Sequence, residues 1–248
     1  MNRVLIITYY WPPSGGSGVQ RWLKMSKYFP ENGWQPVIYT ADGAEYPVED
    51  LSLVKDVAPK AEVLRHKIIE PYSFYKKFLG IKKDEKIKAG FINEGKKKSS
   101  WKENISVWLR GNLFIPDARC WWIKPSINFL KKYLEKNPVD AIISTGPPHS
   151  MHLIAKELHK KFNIPWIADF RDPWTDIDFF SELKLTKRSL KKHHKLQYQV
   201  LDHELFLFLS YNHPFILIIS QINQCFNKLK MNHKNKNTNR SITVFIRI

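Results

Sequence analysis

The chain has 248 residues, of which 43% are hydrophobic and 14% aromatic, a composition typical of a folded protein rather than a disordered one. Its 40 Lys and Arg outnumber 23 Asp and Glu, giving a formal charge of +17 that points to an anionic partner: nucleic acid, an acidic membrane surface or a phosphorylated substrate. Two cysteines, Cys120 and Cys225, exclude a disulfide scaffold and a four-cysteine metal site. We expect a cytoplasmic protein, because no apolar segment of secretory length follows Met1.

Composition changes abruptly after Glu204. All 23 acidic residues lie at or before that position, whereas the segment 205–248 holds six Lys or Arg, seven Asn and no acid. We therefore predict one domain over 1–204 and an aberrant or low-order tail over 205–248.

Short apolar runs alternate with helical repeats through the predicted domain. Predicted strands cover 4–7, 36–40, 62–66, 141–144 and 166–168, and predicted helices cover 19–29, 126–136 and 151–162. Pro30 and Gly33 are expected to end the first helix. This alternation predicts an α/β fold: a Rossmann-like parallel sheet with helices on both faces.

The loop after the first strand contains Gly15, Gly16 and Gly18 directly before a helix. Glycines let the backbone approach a ligand closely, and a helix start attracts anions, so phosphate is the expected ligand. Reading Gly16 and Gly18 as a dinucleotide fingerprint would put Arg21 at the third glycine position, which weighs against NAD. The alternative is a tight turn without a ligand.

Two further loops follow predicted strands at the same expected edge, where ligands of such sheets bind. In 145–150, His149 lies near a helix start, where the positive helix end favours a neutral imidazole; a simple turn cap is the alternative. In 169–174, Asp172 is a candidate for binding a sugar hydroxyl and Arg171 for holding a phosphate. A structural ion pair among Asp169, Arg171 and Asp172 is the alternative.

These motifs, in their order and spacing, resemble the N-terminal half of group 1 (family 4) glycosyltransferases. The similarity covers residues 1–204 and rests on three segments: VLIITYYWPP with GGSGVQR, STGPPH, and DFRDPW. It implies half of a GT-B architecture, in which an N-terminal domain binds mainly the acceptor and a second domain holds a nucleotide sugar. Transfer in that family retains the anomeric configuration and uses no metal ion, so we expect no cofactor and a nucleotide sugar as co-substrate.

The resemblance also implies roles for individual residues. Gly15 and Gly16 would lie against the donor diphosphate, with Gly18 and Arg21 opening the helix behind them. His149 and Asp172 would be the catalytic pair facing sugar and acceptor, and Thr145 and Arg171 would bind acceptor or sugar. The sequence departs from the family at the end of the fourth strand, where many relatives have a histidine and this chain has Ser144 and Thr145.

The segment after Glu204 allows three interpretations. A membrane anchor over 205–220 is too short, since a span needs about 20 apolar residues, and Asn212, His213 and Pro214 interrupt it. A basic interaction tail is the second. We favour translation out of the ancestral frame or a truncated gene, and then expect the donor-binding domain to be missing and the chain alone to be inactive.

Basic segments suggest contact with an anionic membrane. The segment 76–102 holds ten Lys and three acids among aromatic residues, and lipid-linked or envelope glycan acceptors would place the protein at the inner face of the membrane. A solvated loop is the alternative, and for 184–195, with six bases and no acid, we expect a solvated helix face.

Two other functions are alternatives to glycosyl transfer. No zinc, RRM or helix-turn-helix pattern accompanies the basic charge, so we predict no nucleic-acid partner. A Rossmann-type nucleotide- or dinucleotide-binding oxidoreductase module is the nearer alternative.

Overall fold

The computed structural model describes residues 1–68, 101–201 and 206–207, and within these ranges the strands form one sheet. They are β1 (Asn2–Ile7), β2 (Trp34–Asp42), β3 (Glu62–Lys67), β4 (Ala141–Gly146), β5 (Trp166–Phe170) and β6 (Phe206–Leu207). Their order is β3-β2-β1-β4-β5-β6, and every neighbouring pair is parallel. This is the order of a doubly wound sheet, so the predicted Rossmann-like α/β class is confirmed.

Helices cover both faces of the sheet, which explains why its strands are continuous apolar runs. The helices of the described ranges are α1 (Ser17–Ser26), α2 (Trp101–Leu113), α3 (Cys120–Lys136), α4 (Ser150–Phe162) and α5 (Lys187–Leu201), with 3-10 helices at Pro30–Asn32, Leu51–Asp56 and Asp178–Leu183. Val4 and Ile6 of β1 pack with buried residues of α1, whereas Leu5 and Ile7 pack with the cluster that includes residues of α3 and α4. Alternate residues of one strand therefore serve two cores.

The first βαβ unit forms as its sequence predicts. Val19, Trp22 and Leu23 put one apolar face of α1 into the core, and each such side chain contributes about 2 kcal/mol when fully buried. After α1, Pro30 opens a 3-10 helix and Gly33, at φ 78°, turns the chain into β2. Helix α1 itself ends at Ser26, three residues before the predicted end at Phe29, so Pro30 and Gly33 shape the turn into β2 and do not end the helix.

Element boundaries differ from the prediction in several places, and three of the differences bear on the later argument. β4 runs through Gly146 and β5 through Phe170, because Thr145 pairs with Asp169 and Gly146 with Phe170 across the two strands. The start of α3 was predicted six residues too late, since the helix begins at Cys120 and continues through Pro125. No helix was predicted over α2.

The later segments are only partly described. Of the segment 76–102 only Trp101 and Lys102 belong to a described element, and of 205–248 only Phe206 and Leu207 do; the predictions for the rest lie outside the described residues. Phe206 and Leu207 form β6, which begins two positions past the predicted domain boundary. This strand pairs with Ala168 and Asp169 of β5. Within the described ranges, none of the helices is long and apolar enough to cross a bilayer.

Candidate functional site

Three loops meet at the carboxyl edge of the sheet, and Arg171 joins them. Its Nη1 donates to the carbonyl of Gly18, 3.0 Å away, and its Nη2 donates to the carbonyl of Pro147. The guanidinium also lies 5.6 Å from the ring centre of Tyr10. The loops after β1, β4 and β5 therefore form one continuous rim.

Asp169 fixes the floor beneath this rim. Its carboxylate is fully buried and accepts from Arg21 Nη1 at 2.8 Å, Trp22 Nε1 at 2.8 Å and Thr145 Oγ1 at 2.9 Å. Arg21 and Trp22 lie on α1, Thr145 lies on β4, and Asp169 lies on β5. One charged group thus holds the helix behind the glycine turn against two strands.

The glycine turn is packed on one side and open on the other. Gly15 N–H donates to the carbonyl of Val48 at 2.8 Å, and a Cβ on Gly15 would lie 3.1 Å from a methyl carbon of Val48. Gly16 has φ 81° and ψ −175°, a conformation nearly restricted to glycine, and a Cβ there would meet nothing within 4 Å. Gly16 and Ser17 are both exposed. The open side of the turn therefore exposes main chain at the start of α1.

The first turns of α1 and α4 differ in how they are capped. An α-helix begins with N–H groups that lack partners within the helix, and these attract anions. At α4, Asp117 takes that place, accepting from Ser150 N at 2.8 Å and from its hydroxyl at 2.9 Å. At α1 the N-cap is Gly16, no side chain caps the helix, and its first turn contains no acid. Of these two helix starts, only that of α1 has exposed residues and no side chain in the capping position.

His149 lies under the rim in a neutral state. Its ring stacks on Trp174 with centres 4.6 Å apart, and the residue is 8% exposed. Burial, reinforced by the positive charge of Arg171, lowers the pKa of His149 to about 3. The predicted neutral imidazole is confirmed, with burial as its main cause.

His152, three residues later on α4, forms a pair with His149. Ser144 Oγ accepts from Trp166 Nε1 at 2.8 Å and lies 2.8 Å from Nδ1 of His152, so the imidazole is held from below. Burial also lowers the pKa of His152 well below its usual value. Within the described residues, neither His149 Nδ1 nor His152 Nε2 has a hydrogen-bond partner.

Both of these ring nitrogens point to the same spot above Gly146. A Cβ on Gly146 would lie 2.6 Å from Nε2 of His152 and 2.9 Å from Nδ1 of His149, distances that real Cβ atoms do not tolerate. The absence of a side chain at Gly146 thus provides the room that the two imidazoles occupy.

Several predicted site residues already use their polar groups within the protein. Arg21 and Thr145 bind Asp169, and Arg171 binds main-chain carbonyls, so the structure gives these three a positioning role. The alternative of an ion pair among Asp169, Arg171 and Asp172 is wrong, because Asp169 pairs with Arg21 of α1 and Arg171 donates to main-chain carbonyls. Asp172 lies half-buried beside Arg171, at the same rim as the glycine turn.

The described ranges contain no group of three His, Cys, Asp or Glu residues arranged to hold a metal ion. Burial and the charge of Asp117 raise the pKa of Cys120 to about 11, which keeps this thiol protonated at neutral pH.

Sequence reasoning missed Asp117 and His152. The histidine carried a usable signal, because a spacing of three residues places it on the same helix face as His149. Asp117 carried none, since its partner Ser150 lies 33 residues further along the chain. The hub role of Asp169 was also missed, although the residue itself was singled out.

The chain matches no protein-family model and no curated protein. Among solved structures it is similar to Phytolacca americana UGT2 complexed with UDP-2-fluoro-glucose and pterostilbene, with 11% identity and a TM-score of 0.38 over 68% of this chain and 30% of that one. It is also similar to Streptomyces sp. SF2575 glycosyltransferase SsfS6 complexed with thymidine diphosphate, with 11% identity and a TM-score of 0.38 over 80% of this chain and 44% of that one. The chain thus spans less than half the length of either structure, and its assignment to the α/β class rests on its own strand order and register.

Proposed function

We propose that this chain is the acceptor-side domain of a glycosyltransferase and that the start of α1 binds the diphosphate of a nucleotide sugar. The observation that carries the proposal is the contrast between two helix starts at one rim. Asp117 fills the anion position at α4, whereas α1 begins with exposed, uncapped Gly16 and Ser17. A diphosphate placed there would accept from main-chain N–H groups and gain from the helix dipole.

The chemistry proposed for this site is departure of a nucleoside diphosphate as a sugar passes to an acceptor. Main-chain amides at the start of α1 would stabilise the negative charge that grows on the leaving phosphate. The neutral imidazole of His149 and the carboxylate of Asp172 would face the sugar and the acceptor. Arg21, Thr145 and Arg171 would act through the loops that they hold in place.

The resemblance to family 4 glycosyltransferases extends this proposal. It implies retention of anomeric configuration without a metal ion, a lipid-linked or envelope glycan acceptor, and a location at the inner face of the membrane. In that family a second domain holds most of the nucleotide sugar. We therefore propose that the chain over 1–248 binds the diphosphate weakly and transfers no sugar by itself.

Ser17 provides the test, because it is the first residue of α1 and is exposed. Ser17→Asp places a carboxylate where the phosphate is proposed to bind, and that carboxylate itself interacts favourably with the helix start. We expect Ser17→Asp to weaken binding of pyrophosphate and of the best nucleotide sugar by at least about tenfold, with no fall in melting temperature. Ser17→Ala is the matched control and should bind nearly as the parent chain does.

Titration calorimetry against a panel of nucleotide sugars, pyrophosphate and NAD(P) gives the readout. If neither pyrophosphate nor any nucleotide sugar binds, or if Ser17→Asp binds as well as Ser17→Ala, the proposed phosphate site is wrong. Sugar transfer by the purified chain would contradict the proposal that it needs a donor-binding domain.

A dinucleotide-binding oxidoreductase module is the second candidate, favoured by one observation. Asp42 ends β2 next to the central strand and is exposed, the position at which such domains bind a ribose hydroxyl. Against it, Arg21 occupies the place of the third glycine and its side chain pairs with Asp169. Tight NAD(P) binding that Asp42→Asn abolishes would favour this candidate over glycosyl transfer.

A further inference from the structure

One surface of the molecule combines exposed tryptophans with a cluster of exposed basic residues. It is formed by α2, the start of α3 and the outer side of α5, and we call it the tryptophan–lysine face. Its apolar members are 38–59% exposed: Ile105, Trp108, Leu113, Trp121 and Leu190. Its exposed basic members are Lys187, Arg188, Lys191, Lys192 and Lys195.

These elements are adjacent in space. Asn112 of α2 accepts from the N–H of Thr186 at 2.8 Å and donates to the carbonyl of Lys184. The ring of Phe114, just past α2, packs edge-on against Trp121 with centres 5.7 Å apart. The end of α2 therefore adjoins both the residues that lead into α5 and the start of α3.

The inner side of α5 explains why its lysines point outward. His193 is buried, accepts from Trp174 Nε1 at 3.3 Å and lies 3.4 Å from the carbonyl of Gly111. Ser189 and Val200 are buried on the same side. The helix is thereby fixed in rotation, and its five Lys and Arg residues all lie on the exposed side.

We propose that the tryptophan–lysine face docks on an anionic lipid bilayer. Exposed tryptophan is costly in water and suits the bilayer interface, where its ring is buried and its N–H stays hydrated. Lysine beside an anionic leaflet adds about fivefold in binding per residue. Helix α5 contains no Asp or Glu to oppose this attraction, so its charge favours an anionic surface. The exposed tryptophans favour lipid as that surface.

The position of the face agrees with this partner. Asp117, between α2 and α3, caps α4 at the rim, and Arg119 Nη2 donates to the hydroxyl of Tyr9 beyond β1 at 2.9 Å. The docking face therefore lies at the same end of the sheet as the rim. A bilayer bound there would lie beside the place where a lipid-linked acceptor must enter, although the docking itself does not depend on the proposed transfer.

Vesicle co-sedimentation without nucleotide tests the inference separately from the proposed function. The parent chain should bind vesicles of phosphatidylglycerol and phosphatidylcholine in equal parts and not vesicles of phosphatidylcholine alone. Lys191→Glu, Lys192→Glu and Lys195→Glu together should lower the partition coefficient by at least about a hundredfold. Lys132→Glu, Lys136→Glu and Lys160→Glu, exposed lysines at the opposite end of the sheet, make the same charge change and should lower it far less.

Trp108→Ser with Trp121→Ser tests the apolar contribution. This variant should lose the part of vesicle binding that persists at high salt, where charge attraction is screened. Absence of parental binding to anionic vesicles at low salt would overturn the inference, as would equal losses in the two lysine variants. So would binding to duplex DNA as tight as to vesicles and unchanged in the tryptophan variant, since that result would indicate a nucleic-acid surface.

Discussion

At the scale of single residues, Asp169 has the most fully hydrogen-bonded carboxylate of the candidate site. Three described acids lie within five residues of Arg171: Asp169, Asp172 and Asp176. Of these, Asp169 is fully buried and the other two are not. A buried carboxylate is tolerated only when its charge and lone pairs are satisfied, and Arg21, Trp22 and Thr145 satisfy them here.

Asp169→Asn should therefore destabilise the protein by about 3 kcal/mol, because it leaves the guanidinium of Arg21 buried without its counter-charge. Urea unfolding followed by tryptophan fluorescence measures the change. Asp56→Asn is the control, since Asp56 forms ion pairs with Lys24 and Lys27 in an exposed setting and should shift the midpoint little. A loss as small for Asp169→Asn as for the control would show that the contacts of the Asp169 carboxylate do not stabilise the fold.

At the scale of elements, the first turn of α4 carries a pH dependence. A folded His149 with a pKa near 3 cannot take up the proton that the unfolded chain binds at its usual value of 6.5. Its contribution to stability is complete above about pH 6.5 and is lost as the pH falls toward 3. At about pH 5 the loss from this residue alone amounts to about 2 kcal/mol.

His149→Gln should remove that part of the acid sensitivity. The measurement is the free energy of unfolding at about pH 7.5 and about pH 5 for parent and variant. We expect the difference between the two pH values to be smaller in the variant by about 2 kcal/mol, with His152 still contributing in both. An equal difference in both proteins would mean that His149 is protonated in the folded state.

Strand positions and the first helix could be predicted from sequence, whereas the ends of β4 and β5 and the start of α3 could not. Continuous apolar runs predict buried strands at 4–7 and 141–144, because both faces of the sheet are covered by helices. Thr145 and Asp169 look like loop residues, and they extend their strands because their side chains bond to each other within the sheet. Asp117 caps a helix 33 residues away, a relation that no local pattern encodes.

In the candidate site, too, features set by local sequence could be predicted and features set by tertiary packing could not. The glycine turn could be predicted, because it depends on local backbone. A neutral His149 is expected from the helix start, but its main cause is burial, which depends on how the chain packs. The use of Arg21, Thr145 and Arg171 in contacts within the protein could not be predicted, since it depends on how α1 packs across β4 and β5.

At the scale of the whole molecule, the doubly wound strand order places the candidate site and the tryptophan–lysine face at one end of the sheet. Parallel strands deliver the loops after β1, β4 and β5 to one edge, and the tryptophan–lysine face lies at the same end. The opposite end of the sheet contains ion pairs such as that of Arg3 with Glu62, whose atoms lie 2.8 Å apart. The central question for the function of this molecule is whether a phosphate binds at the start of α1.

Amide chemical shifts during titration with pyrophosphate and with a nucleotide sugar test that claim most directly. We predict that the largest shifts belong to the N–H groups of Gly16, Ser17 and Gly18 and that Ser17→Asp removes them. Unchanged amides at these three residues under ligand concentrations that saturate binding, or largest shifts at the start of α4, would contradict it.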